Sequence, residues 1–240
     1  MDVVIVTGAS KGIGYELSKQ LQALGKKVIG IARTVDQNAS NFVTADLAKT
    51  SLLEGILTSI IDENVEIATS FTLINNAGIV DPIGLVGNVQ AVDIEKSIAV
   101  NLTAPIILSN TFIEKLRDVH IPKRIVNISS GAGRKTYEGW GAYCTTKAGL
   151  DHFSRVVAME QANAKYPVDI VSIAPGIIDT GMQEIIRSSD EGDFPLLDRF
   201  ITYKEQGALS SAKETAEKLI AVLKHEDFKA IGPIADVRNL

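Results

Sequence analysis

Val3-Val4-Ile5-Val6-Thr7-Gly8-Ala9-Ser10-Lys11-Gly12-Ile13-Gly14-Tyr15 opens the chain with a β-branched run, a turn carrying three glycines and the start of an amphipathic stretch. Four branched aliphatic side chains in succession suit a strand buried on both faces, since they alternate across a pleated surface and pack well on it. The glycines admit left-handed turns and let the backbone close on a ligand. The helix that follows points its unpaired amides and positive dipole end at the same place. Strand, glycine turn and helix in this order form a cradle for a pyrophosphate, with Gly8, Ser10, Lys11, Gly12, Ile13 and Gly14 as its residues. The spacing is G-x-x-x-G-x-G. A tight connection that binds nothing would use the same glycines, so the argument rests on the position of the turn directly after the first strand.

Outward from this unit the rhythm repeats. Val28-Ile29-Gly30-Ile31, Phe71-Thr72-Leu73-Ile74, Arg124-Ile125-Val126-Asn127-Ile128 and Asp169-Ile170-Val171-Ser172-Ile173 read as further buried strands, and Asn41-Phe42-Val43-Thr44-Ala45 as a shorter one. Amphipathic stretches at 15–24, 52–61, 94–116, 142–164 and 212–223 read as helices between them. Near-continuous apolar strands alternating with helices predict an α/β fold, a doubly wound parallel sheet with helices on both faces. No Pro/Gly/Ser-rich linker divides the 240 residues, so one domain over 1–240 is expected. Residues 181–207 break the rhythm, are polar, and contain Asp190-Glu191-Gly192-Asp193; an irregular lid or binding loop is expected there.

Composition narrows the function. An apolar fraction of 45% and a charged fraction of 22% are those of an ordinary globular protein. The net charge of -5, with no basic run longer than Lys26-Lys27, argues against nucleic acid as a partner. The lone Cys144 and the scattered His120, His152 and His225 offer neither an internal disulfide nor zinc-ligand spacing, so no metal and a reducing compartment are expected. Met1-Asp2 runs straight into the first strand, and no run of 18 apolar residues occurs; a cytoplasmic protein without a membrane partner is the expectation.

The second strand ends at Ile31-Ala32-Arg33, where a fold selective for NAD usually carries an acid for the ribose hydroxyls. Arg33, with Lys11 in the glycine turn, instead offers two cations to the 2′-phosphate of NADPH; two solvated surface cations are the plainer alternative. Asp46-Leu47 follows the short third strand and either reaches the adenine edge or caps the next helix. Tyr143 and Lys147 are four apart in a helical stretch and share a face. There an ammonium would lower the phenol's pKa from its ordinary value near ~10 and make it a usable acid. Such a pair arises by chance on many helices. Ser130, after the strand at 125–129 and at the sheet's carboxyl edge, adds a hydroxyl for the carbonyl oxygen that Tyr143 would protonate.

Taken together, Thr7-Gly8-x-x-x-Gly12-x-Gly14, Asn75-Asn76-Ala77-Gly78, Asn101, Ser130 and Tyr143-x-x-x-Lys147 resemble the ordered motif set of the short-chain dehydrogenase/reductase family, a Rossmann-type fold. The likeness covers essentially the whole chain, and Pro175-Gly176 with Ile178 and Thr180 resembles the family's segment over the nicotinamide carboxamide. It implies Tyr143 as general acid, Lys147 as the group that lowers its pKa and binds the nicotinamide ribose, Ser130 as the orienter of the carbonyl, and Asn101 as support for a water-linked proton relay. Asn75, Asn76, Ala77 and Gly78 are implied as cofactor residues. The family interval of thirteen residues from serine to tyrosine selects Ser130 over Ser129, and Gly141, four after Tyr137, leaves Tyr137 without a lysine partner. Asn127 to Gly133, Gly139 to Gly149, Ala174 to Gln183 and Leu197-Asp198-Arg199-Phe200 resemble a group within the family that reduces one carbonyl of aromatic 1,2-diketones, benzil giving (S)-benzoin. A small-molecule carbonyl and NADPH are thus the implied partners. Tyr137, Trp140, Met182 and Phe194 offer an aromatic, adaptable wall for the substrate, or simply pack. Cys144, with no activating neighbour in view, reads as an inert packed thiol.

Three rivals stand beside this reading. A pterin reductase shares its chemistry. An NAD-dependent dehydrogenase working in the oxidising direction is opposed by Arg33. A silent NADPH-binding sensor is opposed by the presence of both Tyr143 and Lys147. The long helices at 94–116 and 142–164 resemble those that pair between subunits in the family, so the resemblance leaves a homo-oligomer and a monomer both open.

Overall fold

The computed structural model describes residues 1–34 and 41–240. β1 (Asp2–Thr7) leads into α1 (Gly12–Ala23), β2 (Lys27–Ala32) and the short β3 (Phe42–Thr44). There follow α2 (Leu53–Asp62), β4 (Ser70–Asn75), α3 (Ala91–Ile98), α4 (Ala104–Lys115), β5 (Lys123–Ile128), α5 (Gly141–Gln161) and β6 (Asp169–Ala174). The last part holds β7 (Ile178–Asp179), α6 (Gly181–Arg187), α7 (Leu197–Glu205), β8 (Ser210–Ser211), α8 (Ala212–Leu223) and β9 (Ile234–Asp236). Seven strands make one parallel sheet in the order β3-β2-β1-β4-β5-β6-β9. The order reverses between β1 and β4, where successive crossovers leave in opposite directions and open a crevice at the carboxyl ends of the strands.

The period of two along each strand builds a core on both faces. Val3 and Ile5 pack with Ile29, Ile31, Phe71, Leu73 and Ile125 beneath Leu57 of α2, Phe112 of α4 and Val157 of α5. Val4 and Val6 join Val28, Ile74, Val126, Val171 and Ile173 beneath Leu17 and Leu21 of α1 and Leu219 and Ile220 of α8. Each fully buried aliphatic side chain contributes about 1.5–3 kcal/mol. α8 starts sharply because Ser211 and Glu214 form a reciprocal capping box.

The structure departs from the sequence expectations in three places. The helix expected over 94–116 is broken: α3 and α4 are joined by a π-helical turn, Ala99–Thr103. Pro105 has no N–H to give to the carbonyl of residue 101, so the regular ladder cannot pass and the turn widens. Residues 181–207 are not irregular, since most of their length forms α6 and α7. Ile186 and Phe200, both buried, seat these helices on Val80, Ala132, Trp140 and Tyr143, a third apolar cluster at the carboxyl edge of the sheet. β9, three residues near the chain's end, was not anticipated and completes the sheet beside β6. Among the described residues no helix is long and apolar enough to cross a membrane.

Lys123 begins β5 with its ammonium buried, donating to the carbonyls of Leu116 (3.0 Å), Val119 (2.7 Å) and Tyr166 (2.8 Å). It pins two loops at the amino end of the sheet. Lys123→Met keeps the stem and leaves three carbonyls without this donor, so urea unfolding at neutral pH should show a loss of about 2–4 kcal/mol. A loss under about 0.5 kcal/mol would mean that water replaces the ammonium freely.

Candidate active site

The crevice is a cleft of about 840 Å³ running from Lys11, Arg33 and Asp46 to Tyr143, Phe200 and Tyr203. At its first end Gly8 (φ 68°) and Gly12 (φ 57°) take the left-handed conformation that the turn after β1 requires. α1 begins at Gly12 with no side-chain cap, and Ser10, Lys11, Gly12 and Ile13 line the cleft, so the helix's first amides are left for a ligand. Gly14 does not line it. A Cβ on Gly14 would stand 2.3 Å from the Gly8 carbonyl oxygen, so this glycine lets α1 close on the turn. Arg33, Asp46 and Leu47 all border the cleft. Asp46 also accepts from the Ala48 N–H at 3.1 Å, so it caps a turn and faces the cleft at once.

The Asn75-Asn76-Ala77-Gly78 segment divides. Thr7 Oγ1 accepts from the N–H groups of Asn76 (3.0 Å) and Ala77 (3.1 Å), and Asn76 Nδ2 donates to the Thr7 carbonyl at 2.9 Å. This lashes the end of β4 to the glycine turn, and Asn76, Ala77 and Gly78 border the cleft. Asn75, expected as a cofactor residue, does not: it is buried in the sheet, with Nδ2 donating to Asn127 Oδ1 (2.9 Å) and Ser109 Oγ (3.2 Å). Asn75 and Asn127 are register partners on β4 and β5, which turns both amides to the same side, away from the cleft.

At the other end, Tyr143 and Lys147 lie one turn apart near the start of α5, both buried, both bordering the cleft. The Lys147 ammonium donates to the Ile128 carbonyl at 2.9 Å and lies 5.7 Å from the centre of the Tyr143 ring. Ser130, just after β5, borders the cleft together with Tyr143, and its hydroxyl accepts from the Ala132 N–H at 3.1 Å. Burial pushes the phenol up to about 12, with the Ser130 hydroxyl pulling the other way. The sequence led us to expect that Lys147 would lower this pKa; instead desolvation is the largest influence and raises it, and Lys147 is not among the groups that act on it. Burial also pushes the Lys147 ammonium down to about 8, opposed by the charge of Asp151. The phenol is therefore protonated at neutral pH, as a proton donor must be.

Asn101 sits in the π turn, fully buried and behind the cleft wall. Its Oδ1 accepts from the Ile79 N–H (2.9 Å) and its Nδ2 donates to the Ile79 carbonyl (2.7 Å). A Cβ on Gly78 would lie 3.3 Å from Asn101 Oδ1 and 3.6 Å from Lys147 Nζ, so the two side chains converge on one glycine. Pro175, Gly176, Ile178 and Thr180 form the opposite wall.

Tyr137, Trp140 and Met182 border the cleft next to Tyr143. Trp140 meets Tyr143 edge to face, with centroids 5.5 Å apart. Phe194 does not reach the cleft: it is fully buried and stacks behind Trp140 at 4.9 Å. The sequence reading missed Arg199, Phe200 and Tyr203 of α7, and Arg238, which also border the cleft. The first three stand at helical spacing, a signal that the polar composition of 181–207 hid. Arg238 arrives only through β9, and nothing in the local sequence marks it.

A nicotinamide dinucleotide fits this donor set, in which an uncapped helix end, the cations Lys11 and Arg33 and the buried Tyr143–Lys147 pair line one cleft. The fold and the site define an oxidoreductase, and the chain belongs to the short-chain dehydrogenase family, whose profile matches residues 2–191. Its cofactor is accordingly a nicotinamide. The chain is 41% identical to a benzil reductase ((S)-benzoin forming) of Bacillus cereus over 95% of this chain and 96% of the relative. It is 37% identical to the protein of that name in Bacillus subtilis (strain 168), over 100% and 99% of the two chains. Among solved structures, a short-chain dehydrogenase/reductase of Saccharomyces cerevisiae superposes with a TM-score of 0.83 at 25% identity, covering 99% of this chain and 96% of that one.

Proposed function

We propose that this chain is an NADPH-dependent reductase that converts one carbonyl of an aromatic 1,2-diketone of the benzil type to a chiral alcohol. The observation that carries the reading is the meeting, at one end of the cleft, of the buried Tyr143 and Ser130 with an aromatic wall of Tyr137 and Trp140. The likeness to benzil reductases at 41% and 37% identity over nearly the whole chain supports the substrate class. The reduced nicotinamide, when bound, supplies the hydride. Ser130 and Tyr143 together donate to the carbonyl oxygen, and the Tyr143 proton passes to it as negative charge develops there. Lys147 stabilises the phenolate left behind and returns a proton to it, with Asn101 supporting a water-linked path to solvent. At the far end Lys11 and Arg33 meet the 2′-phosphate, and Asp46 and Leu47 the adenine edge.

The whole chain serves as one dinucleotide-binding unit in a cytoplasmic enzyme, and residues 181–207 act as the substrate lid. An ion pair between Lys204 and Asp179 (2.6 Å) and the pairing of β7 with β8 support a lid fastened at both ends. Two copies pair through α5, whose outer face exposes Val156 and Met159. The test is loss of nicotinamide absorbance when the purified protein meets benzil with NADPH or with NADH, followed by chiral analysis. Fast, NADPH-selective formation of (S)-benzoin is expected. No turnover while NADPH still binds would overturn the diketone assignment and turn the search to pterins and other ketones.

A further inference from the structure

The turn that carries Ser130 lies flat on α5. A Cβ on Gly133 would stand 2.8 Å from the carbonyl carbon and oxygen of Lys147, so this glycine lets the turn Gly131–Gly133 touch the helix backbone at the lysine itself. The next residue, Arg134, donates from Nε to Asp151 Oδ2 at 3.0 Å and from a terminal nitrogen to the Ala235 carbonyl at 2.9 Å. Asp151 is four residues after Lys147 on α5 and only 5% exposed. Its second oxygen accepts from the Ser172 hydroxyl of β6 at 2.7 Å. One buried carboxylate thus joins the serine turn to the helix of Tyr143 and Lys147 and to β6, and Arg134 carries the connection on to β9. Nothing in the chemistry assigned above requires this pair, in which Asp151 is buried and Arg134 partly exposed, and the cost of desolvating the carboxylate offsets much of what the pair adds to stability.

We propose that Arg134 and Asp151 form a positioning pair for the reaction, holding Ser130 in register with Tyr143 and setting the charge beneath Lys147. The inference rests on the reading of Tyr143, Lys147 and Ser130 given above. Lys147 is faced by Tyr143 and Asp151 from its own helix, by the Ile128 carbonyl from β5 and by Gly78 with Asn101 behind it. Arg134 stands behind Asp151, with Asp236 beyond it paired to Arg238 at 2.8 Å, and Lys96 and Lys135 border the open cleft. Asp151 favours the ammonium form of Lys147, and Arg134 weakens that influence by pairing with Asp151. The two partners therefore act on Lys147 with opposite signs.

The experiment compares Asp151→Asn, Arg134→Gln and Arg134→Lys with the wild type, using benzil and NADPH across pH. The wild type should lose reductive turnover as pH rises through about 8, where Lys147 gives up its proton. Asp151→Asn should bring that loss about one unit lower, and Arg134→Gln should carry it higher by a similar amount. Both should lower kcat about tenfold while the KM for NADPH stays within about twofold, because the serine and not the cofactor is displaced. Arg134→Lys keeps the charge and should recover most of kcat. A second readout needs no substrate: the pH at which the Lys147 amine becomes acetylated in the cofactor-free protein, followed by mass spectrometry, should shift in the same opposite directions. Opposite shifts in this readout, without turnover of benzil by the wild type, would leave the pair's effect on Lys147 standing and sink the substrate reading. Lower melting temperatures with an unmoved titration in both variants would overturn the proposal and leave the pair as scaffolding.

Discussion

Turnover by Tyr143→Phe is expected to fall by about 10²–10⁴-fold while NADPH affinity stays within about twofold of the wild type. The phenylalanine keeps the ring that Trp140 meets edge to face at 5.5 Å and that the Lys147 ammonium approaches at 5.7 Å, so the packing at the start of α5 is preserved. What is lost is the one proton held at that position, on a phenol that burial pushes up to about 12. A donor so weak would give its proton only to an oxygen that is becoming an alkoxide, which would tie the transfer to hydride arrival. Single-turnover loss of NADPH absorbance, with binding measured separately by nicotinamide fluorescence, separates the two effects. Turnover within about tenfold of wild type would show that the proton comes from Ser130 or from water and would remove Tyr143 from the role of acid.

How far the site was legible depended on the kind of information each residue carries. Tyr143 and Lys147 were legible because helical spacing alone puts side chains four apart on one face, and 141–161 is a helix. The glycine turn was legible because left-handed φ at Gly8 and Gly12 leaves glycine as the natural choice. Asn75 and Gly14 belong to the same motifs, yet neither borders the cleft, since a motif fixes a neighbourhood and not the direction in which each member faces. For Asn75 the direction follows from its register with Asn127, which is a property of two strands and not of one. The π turn at Asn101 was hidden inside a continuous apolar run, although Pro105 marked the place where the ladder must fail. α6 and α7 were hidden by their acidic connection, and Arg134 and Asp151, 17 residues apart, meet only because two elements pack.

The last large effect concerns the cofactor. Arg33→Asp should change the ratio of kcat/KM for NADPH to that for NADH by about 10³, roughly 4 kcal/mol. Arg33 follows directly on β2, whose end is held against the glycine turn by the Gly8 N–H bonded to the Ile31 carbonyl at 2.8 Å, and it borders the cleft together with Lys11. A guanidinium there would give a 2′-phosphate charge-assisted bonds worth about 1.5–3 kcal/mol. An aspartate in its place repels the phosphate and accepts from the ribose hydroxyls of NADH, so the two substrates move in opposite directions. Lys11 remains in the variant and limits the loss with NADPH, which makes Lys11→Ala combined with Arg33→Asp the stronger switch. Michaelis constants measured for both cofactors at fixed benzil decide the matter. Equal losses with NADPH and NADH would mean that Arg33 supports the fold of the cleft's edge and meets no phosphate, and selectivity would then have to come from Lys11 alone.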